Sequence, residues 1–150
     1  MPTFKSIEAV VADIQKKMGY AILKSQEQVY QIIDRFVKEY YAEFTPEQYE
    51  RTYQLYKSLV KSEIEKTPKG YKARVYFDVD MLDYYMKTVN GKQVHNSGWS
   101  EDKTLYAAAH GSHGGHQSGT AIYDDPIKVL NTEGVNILKR MLRESGIPVK

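Results

Sequence analysis

Apolar residues recur through the first forty positions with a helical step. Ile7, Val11, Ile14, Met18, Ile22, Ser25, Val29, Ile32, Phe36 and Tyr40 are spaced by three or four. At about 100° per residue all ten fall within roughly an 80° arc. Lys16, Lys17, Lys24, Gln31, Asp34, Arg35 and Lys38 fall opposite. The pattern predicts one amphipathic helix over about residues 6–42, and a rise of about 1.5 Å per residue makes its stripe roughly 50 Å long. A compact globule of this chain length has a radius of gyration of about 15 Å. The helix is therefore expected to protrude or to be covered by another subunit. Ile14, Ile22, Val29 and Phe36 are expected to face the subunit's own core.

Pro46 cannot continue this helix and disfavours helix at Thr45. Thr45-Pro46-Glu47-Gln48 reads as a restart, with Thr45 as N-cap, and Tyr49, Tyr53 and Tyr56 keep helical spacing after it. Ala73, Val75, Phe77 and Val79 then alternate with Lys72, Arg74, Tyr76 and Asp78, as in a half-buried strand. With Pro68-Lys69-Gly70 as the turn, about 58–66 and 71–79 should form a hairpin within a helix and hairpin region of about 46–79. Asn90-Gly91 marks a further turn, Ser100 starts a short helix, and residues 110–119 form a Gly-rich loop. Ala121-Ile122-Tyr123 reads as a strand fragment before Asp125-Pro126. A closing helix over about 132–145 is capped by Thr132, has Val135, Leu138, Met141 and Leu142 as its stripe, and is stopped by Gly146 and Pro148. The expected architecture is α+β. A long N-terminal amphipathic helix packs on a small, mainly antiparallel sheet with a C-terminal helix, in a single domain over 1–150.

Composition narrows the function classes. The net charge of +2 is nearly balanced and calls by itself for neither nucleic acid nor an anionic membrane. Cysteine is absent, which excludes disulfides, thiol catalysis and cysteine zinc sites. No apolar run approaches the roughly 20 residues of a membrane span, and the N-terminus lacks the apolar region of a signal peptide. The expectation is a protein with no membrane partner. Thirteen Tyr against four Phe and one Trp point either to surfaces buried against partners or to a wet core edge.

Taken in order, the long helix, the segment from Tyr49 through Arg51-Thr52 to Ser58-Leu59, the hairpin, Ala109-His110-Gly111-Ser112-His113-Gly114-Gly115 and the closing helix make a recognisable series. It resembles the neck or tail-completion proteins of long-tailed bacteriophages, also described as minor capsid or head–tail joining proteins. The resemblance covers nearly the whole chain. It implies a structural virion protein made in the bacterial host cytoplasm and built into the head–tail neck, with no cofactor and no reaction. It also implies a homo-oligomeric ring, typically a hexamer, with other neck and tail proteins as partners. A ring needs closing contacts between unlike patches, and a long helix face and a hairpin edge would supply two. The expected interface positions are Arg51, Tyr53 and Tyr56 in the first segment and His110 and His113 in the loop.

Chemical alternatives carry less weight. His110, His113 and His116, with His95, have the nitrogen donors that zinc or nickel favours, but their glycine neighbours leave them without a fixed second shell. A metal-dependent enzyme built on this loop is the weaker reading, and no metal site is expected. Asp78, Asp80, Asp83, Asp124 and Asp125 lack the spaced lysine or histidine of a nuclease, and no Gly-x-Ser-x-Gly elbow is present. Lys61, Lys66, Lys69, Lys72 and Arg74 around the hairpin either defend an edge or touch DNA phosphates non-specifically, as genomic DNA in a ring lumen would allow. A small DNA-binding or regulatory module is the alternative function.

Overall fold

A computed structural model of the protein describes residues 3–42, 54–81, 88–89, 92–93 and 124–150. Among these the expected α+β architecture is present: a long N-terminal helix, small antiparallel sheets and a C-terminal helix. Helix α1 (Ile7–Ala42) runs 36 residues without a break. Ser6 caps it, its Oγ accepting from the backbone N–H of Ala9 at 3.2 Å, and Glu8 lies in the first turn. Backbone N–H donation and the Ser6 hydroxyl hold the Glu8 carboxyl below its ordinary range, as suits an acid at a helix start. Five residues, Gln54–Ser58, form helix α2; the Thr45 restart expected before them lies outside the described residues.

The hairpin forms where expected but is not continuous. Strand β1 (Leu59–Lys61) pairs with β4 (Val75–Phe77), and β2 (Glu65–Thr67) pairs with β3 (Gly70–Lys72). Gly70 takes φ +139°, a conformation that L side chains rarely adopt, which explains a glycine after Pro68-Lys69. Glu65 faces Lys72 in the ladder, while the Ser62 N–H donates to the Arg74 carbonyl at 3.0 Å. Residues 62 to 65 thus stand against 72 to 74, so the first strand carries one extra residue and bulges at Glu63 and Ile64. The clean alternation of 71–77 survives because the opposite strand absorbs the irregularity. A 3-10 turn (Val79–Met81) follows β4, and β5 (Thr88–Val89) pairs antiparallel with β6 (Lys92–Gln93) on either side of Asn90-Gly91.

The last helix, α3 (Asp124–Glu144), starts earlier than the expected 132. Pro126 sits in the first turn, where its missing N–H would have had no helical partner, and Asp124 and Asp125 complement the helix dipole there. Thr132 is therefore internal rather than a cap. The helix end is as expected: Gly146, at φ +87°, donates to the Arg143 carbonyl and Ile147 to that of Leu142, both at 2.9 Å, a Schellman closure. The short helix at Ser100, the loop 110–119 and the strand fragment at 121–123 lie outside the described residues.

Two compact units divide the chain. The first comprises Met1–Gln31, Lys61–Val75 and Val129–Lys150; the second comprises Ile32–Val60 and Tyr76–Lys128. In the first unit the buried side chains are Ala21, Gln26, Ile137 and Met141. In the second, Val37 and Tyr40 form a core with Ile33, Tyr41, Tyr56, Phe77 and Val79 packed against it, and Ser58 and Leu59 are buried too. The ten-residue stripe is thus not one uniform core face. Tyr40 is buried, and Ile22, Val29, Ile32 and Phe36 are half-buried, but Ile7 is 79% exposed and Val11 and Ile14 are exposed as well. Ile14 does not face the core as expected. In α3, Val135 is 65% exposed while Ile137 and Met141 are buried, which corrects the expected stripe.

Candidate interaction surface

In the first unit the hairpin lies along α1 through a polar contact that hydrophobic patterning conceals. Gln26 is only 6% exposed, and its amide Nε2 donates to the carbonyls of Ser62 and Arg74, each at 2.8 Å. These carbonyls face each other across the irregular stretch of the hairpin. The Ser62 hydroxyl takes the Arg74 N–H at 2.9 Å in place of the Ser62 carbonyl, which is thereby free to accept from Gln26. One amide on the helix thus satisfies the Ser62 carbonyl, which a regular ladder would have paired internally, and gives the Arg74 carbonyl a second donor beside the Ser62 N–H. The same side of the hairpin sends Lys61 to Glu27 at 2.6 Å and over the Tyr30 ring at 4.9 Å, and Lys66 to Gln15 at 3.2 Å. Lys61 holds the exposed Glu27 carboxyl below its usual range, chiefly by hydrogen bonding. Tyr71 rests against Gly19, with ring carbons 3.6 to 3.7 Å from where a Cβ would stand, so the helix face is smooth where the hairpin meets it. The signal for Gln26 was legible only as a polar residue flanking the stripe.

Ahead of these contacts, Phe4 and the α1 residues Ile7, Val11 and Ile14 lie exposed. Contiguous apolar exposure of this kind marks a surface that meets something other than water.

The two units also differ in charge. The first carries thirteen Lys and Arg against seven Asp and Glu, a net of +6; the second carries eight against twelve, a net of −4. Ten of the thirteen tyrosines and all four histidines belong to the acidic unit. The near-neutral total is therefore the sum of two interleaved sets of segments of opposite net charge.

Of the interface positions expected from sequence, Tyr56 is described. It packs against the Val37 and Tyr40 core, half-buried, with the Lys38 ammonium 5.7 Å from its ring centroid. Lys38 is in turn bound to Asp34 at 2.7 Å, which raises the lysine's pKa by hydrogen bonding and by charge. The second Asp34 oxygen, Oδ1, is buried and has no hydrogen-bond partner among the described residues. Arg51, Tyr53, His110 and His113 lie outside the described residues, as do His95 and His116. Among the described residues no three His, Cys, Asp or Glu side chains converge as metal ligands, and no helix is long and apolar enough to cross a membrane. The hairpin cations divide: Lys61 and Lys66 are engaged with α1, whereas Lys69, Lys72 and Arg74 turn exposed side chains outward.

The family model YomN matches residues 6–144, from the cap of α1 to the last turn of α3. The chain belongs to the YomN family. That family is phage-derived, of the Bacillus prophage type, which makes this YomN-family chain a phage-associated protein. Searches of curated proteins and of solved structures return no significant match.

Proposed function

We propose that this YomN-family protein is a structural component of the phage neck, completing the tail or joining it to the head as one subunit of a ring. The observation that carries the reading is the exposed apolar side chains of Phe4, Ile7, Val11 and Ile14 at and before the start of α1. A phage-associated protein with such a face is suited to assembly. Arg51, Tyr53, His110 and His113 are proposed interface positions. Tyr56, tied into its own unit's core, is proposed to support them from behind. The ring is proposed to contain six copies, to have other neck and tail proteins as neighbours, and to act without a cofactor or a reaction.

The test is deletion of the gene from the phage or prophage that carries it. The expected outcome is synthesis of heads and tails without infectious particles, with separated heads and tails, or joints that leak DNA, in micrographs of the lysate. Normal particles at normal titre would contradict the neck role and favour the regulatory or DNA-binding alternative, to which the outward cations Lys69, Lys72 and Arg74 belong.

A further inference from the structure

Ile7, Val11, Ile14 and Met18 follow one another at intervals of four, three and four. That is the seam spacing of a two-stranded coiled coil, narrower than the stripe with which a helix packs into a globular core. Met18 is half-buried, its Cε 3.9 Å from where a Cβ on Gly70 would stand, so the hairpin tip meets the seam there. Ile7, Val11 and Ile14, with Phe4 just ahead of the helix, are exposed. Contacts from the hairpin and from the end of α3 reach α1 at Gln15, which accepts from Lys66, and at Lys17, whose side chain comes within 3.6 Å of the Cβ position of Gly146. A seam of this spacing is filled by a helix with the same spacing, and a second copy of the chain supplies one. Laid parallel, two such segments would bring both hairpins and both α3 ends to one level. Laid antiparallel about a two-fold axis between Val10 and Val11, they set Ile7 opposite Ile14 of the second copy and put the hairpins at opposite ends. The flanks then agree in charge. At about 100° per residue Glu8 and Gln15 fall on one side of the seam, and like sides meet in an antiparallel pair. At about 1.5 Å rise, Glu8 stands within roughly 3 Å along the axis of the second copy's Gln15, where Lys66 is held. Glu8 and Lys66 are both exposed, and symmetry forms their pair twice. On the other side Lys17 is already matched by Asp13 at 2.6 Å, and Lys16 lies roughly 160° from the seam.

We infer that two copies of this chain pair through the first three turns of α1, antiparallel about a two-fold axis, with Ile7 of each copy against Ile14 of the other and Glu8 against Lys66. The contact is isologous, so it pairs copies and leaves the closure of a ring to other surfaces. It therefore stands apart from the neck reading. Its few apolar side chains put it at the small end of protein interfaces, below about 1,200 Å², where association is transient. Apolar burial supplies its strength, and the two charge pairs set its register and make it weaken as salt screens them.

The experiment combines sedimentation analysis of the purified full-length chain, from micromolar to millimolar concentration, with disulfide trapping. The wild type is expected to move from 17.3 kDa toward twice that mass as concentration rises. Ile7→Asp with Val11→Asp should stay at 17.3 kDa, and Ile7→Ser with Val11→Ser replaces it should circular dichroism show lost helix. Lys66→Glu should raise the concentration at which half the chains are paired several-fold. Because the chain has no cysteine, introduced thiols report the orientation. Chains carrying Ile7→Cys and chains carrying Ile14→Cys, mixed and mildly oxidised at high concentration, should link to each other in preference to themselves, whereas a parallel pair would link like with like. A wild type monomeric up to millimolar concentration would overturn the inference and assign the face to a different protein. A face variant that pairs like the wild type, Lys66→Glu chains that pair unchanged, or single-cysteine chains that link to themselves as readily as to each other would each overturn it too. Mass and disulfides are read on the isolated chain, so the pairing can fail while deletion still gives the neck phenotype, and the reverse.

Discussion

The two units of this chain solve the same problem by different means. In the acidic unit, Val37 and Tyr40 close a cluster of aliphatic and aromatic side chains. In the basic unit the most specific tie is the buried Gln26 amide, spanning two backbone carbonyls of an irregular hairpin. A cluster is tolerant in register, because apolar contact has no direction. An amide aimed at two carbonyls fixes the hairpin's register on the helix and is sensitive to the loss of one group. The contrast teaches that the long helix is not a single hydrophobic rail. It is clamped by polar geometry in one unit, packed by side-chain volume in the other, and exposes Ile7, Val11 and Ile14 near its start.

The comparison predicts opposite sensitivities. Tyr40→Ala should cost the most, about 3 kcal/mol or more, because it empties a packed aromatic site. Gln26→Met, nearly isosteric and more apolar, should still destabilise by about 1–3 kcal/mol, since the Ser62 carbonyl loses its donor from Gln26. Denaturant midpoints measure both. A neutral Gln26→Met would erase the distinction between the units.

How much of this was legible in the sequence follows from the same contrast. The span of α1 was readable because periodicity and Pro46 act locally, and the hairpin and the Gly146 stop because turn chemistry is local. Which part of the stripe would be buried was not, because periodicity identifies a face and says nothing of what covers it; Ile7 and Tyr40 lie on one arc with opposite fates. The start of α3 was missed since Pro126 breaks a helix interior but is tolerated in a first turn. Gln26 was missed because a lone glutamine beside a stripe reads as solvated. For the candidate interface, the apolar face was visible as a pattern, whereas the opposed charges of the units appeared only once the fold had sorted segments distant in sequence.

Smaller perturbations sharpen the account. Gly146→Ala should destabilise by about 1 kcal/mol, because φ +87° suits glycine and the Schellman closure depends on it. Gly134→Ala should do the reverse and stabilise by about 0.5–1 kcal/mol: it lies inside α3 with open space where its Cβ would stand. Thermal melts distinguish the two signs. Least of all, Lys61→Met should cost under about 1 kcal/mol, the pair with Glu27 being exposed and screened. Because Lys61 lowers the Glu27 pKa, that small contribution is fully present above the usual carboxylate range and is lost as pH falls through the depressed value. Acid titration of wild type and Lys61→Met should therefore converge at low pH.

The most direct test of the central claim, that this phage protein is a neck component, is to locate it in the particle. Cryo-electron microscopy of virions carrying a labelled chain should place the label in a ring between head and tail. A label confined to the capsid shell or the distal tail, or absent from the particle, would contradict it.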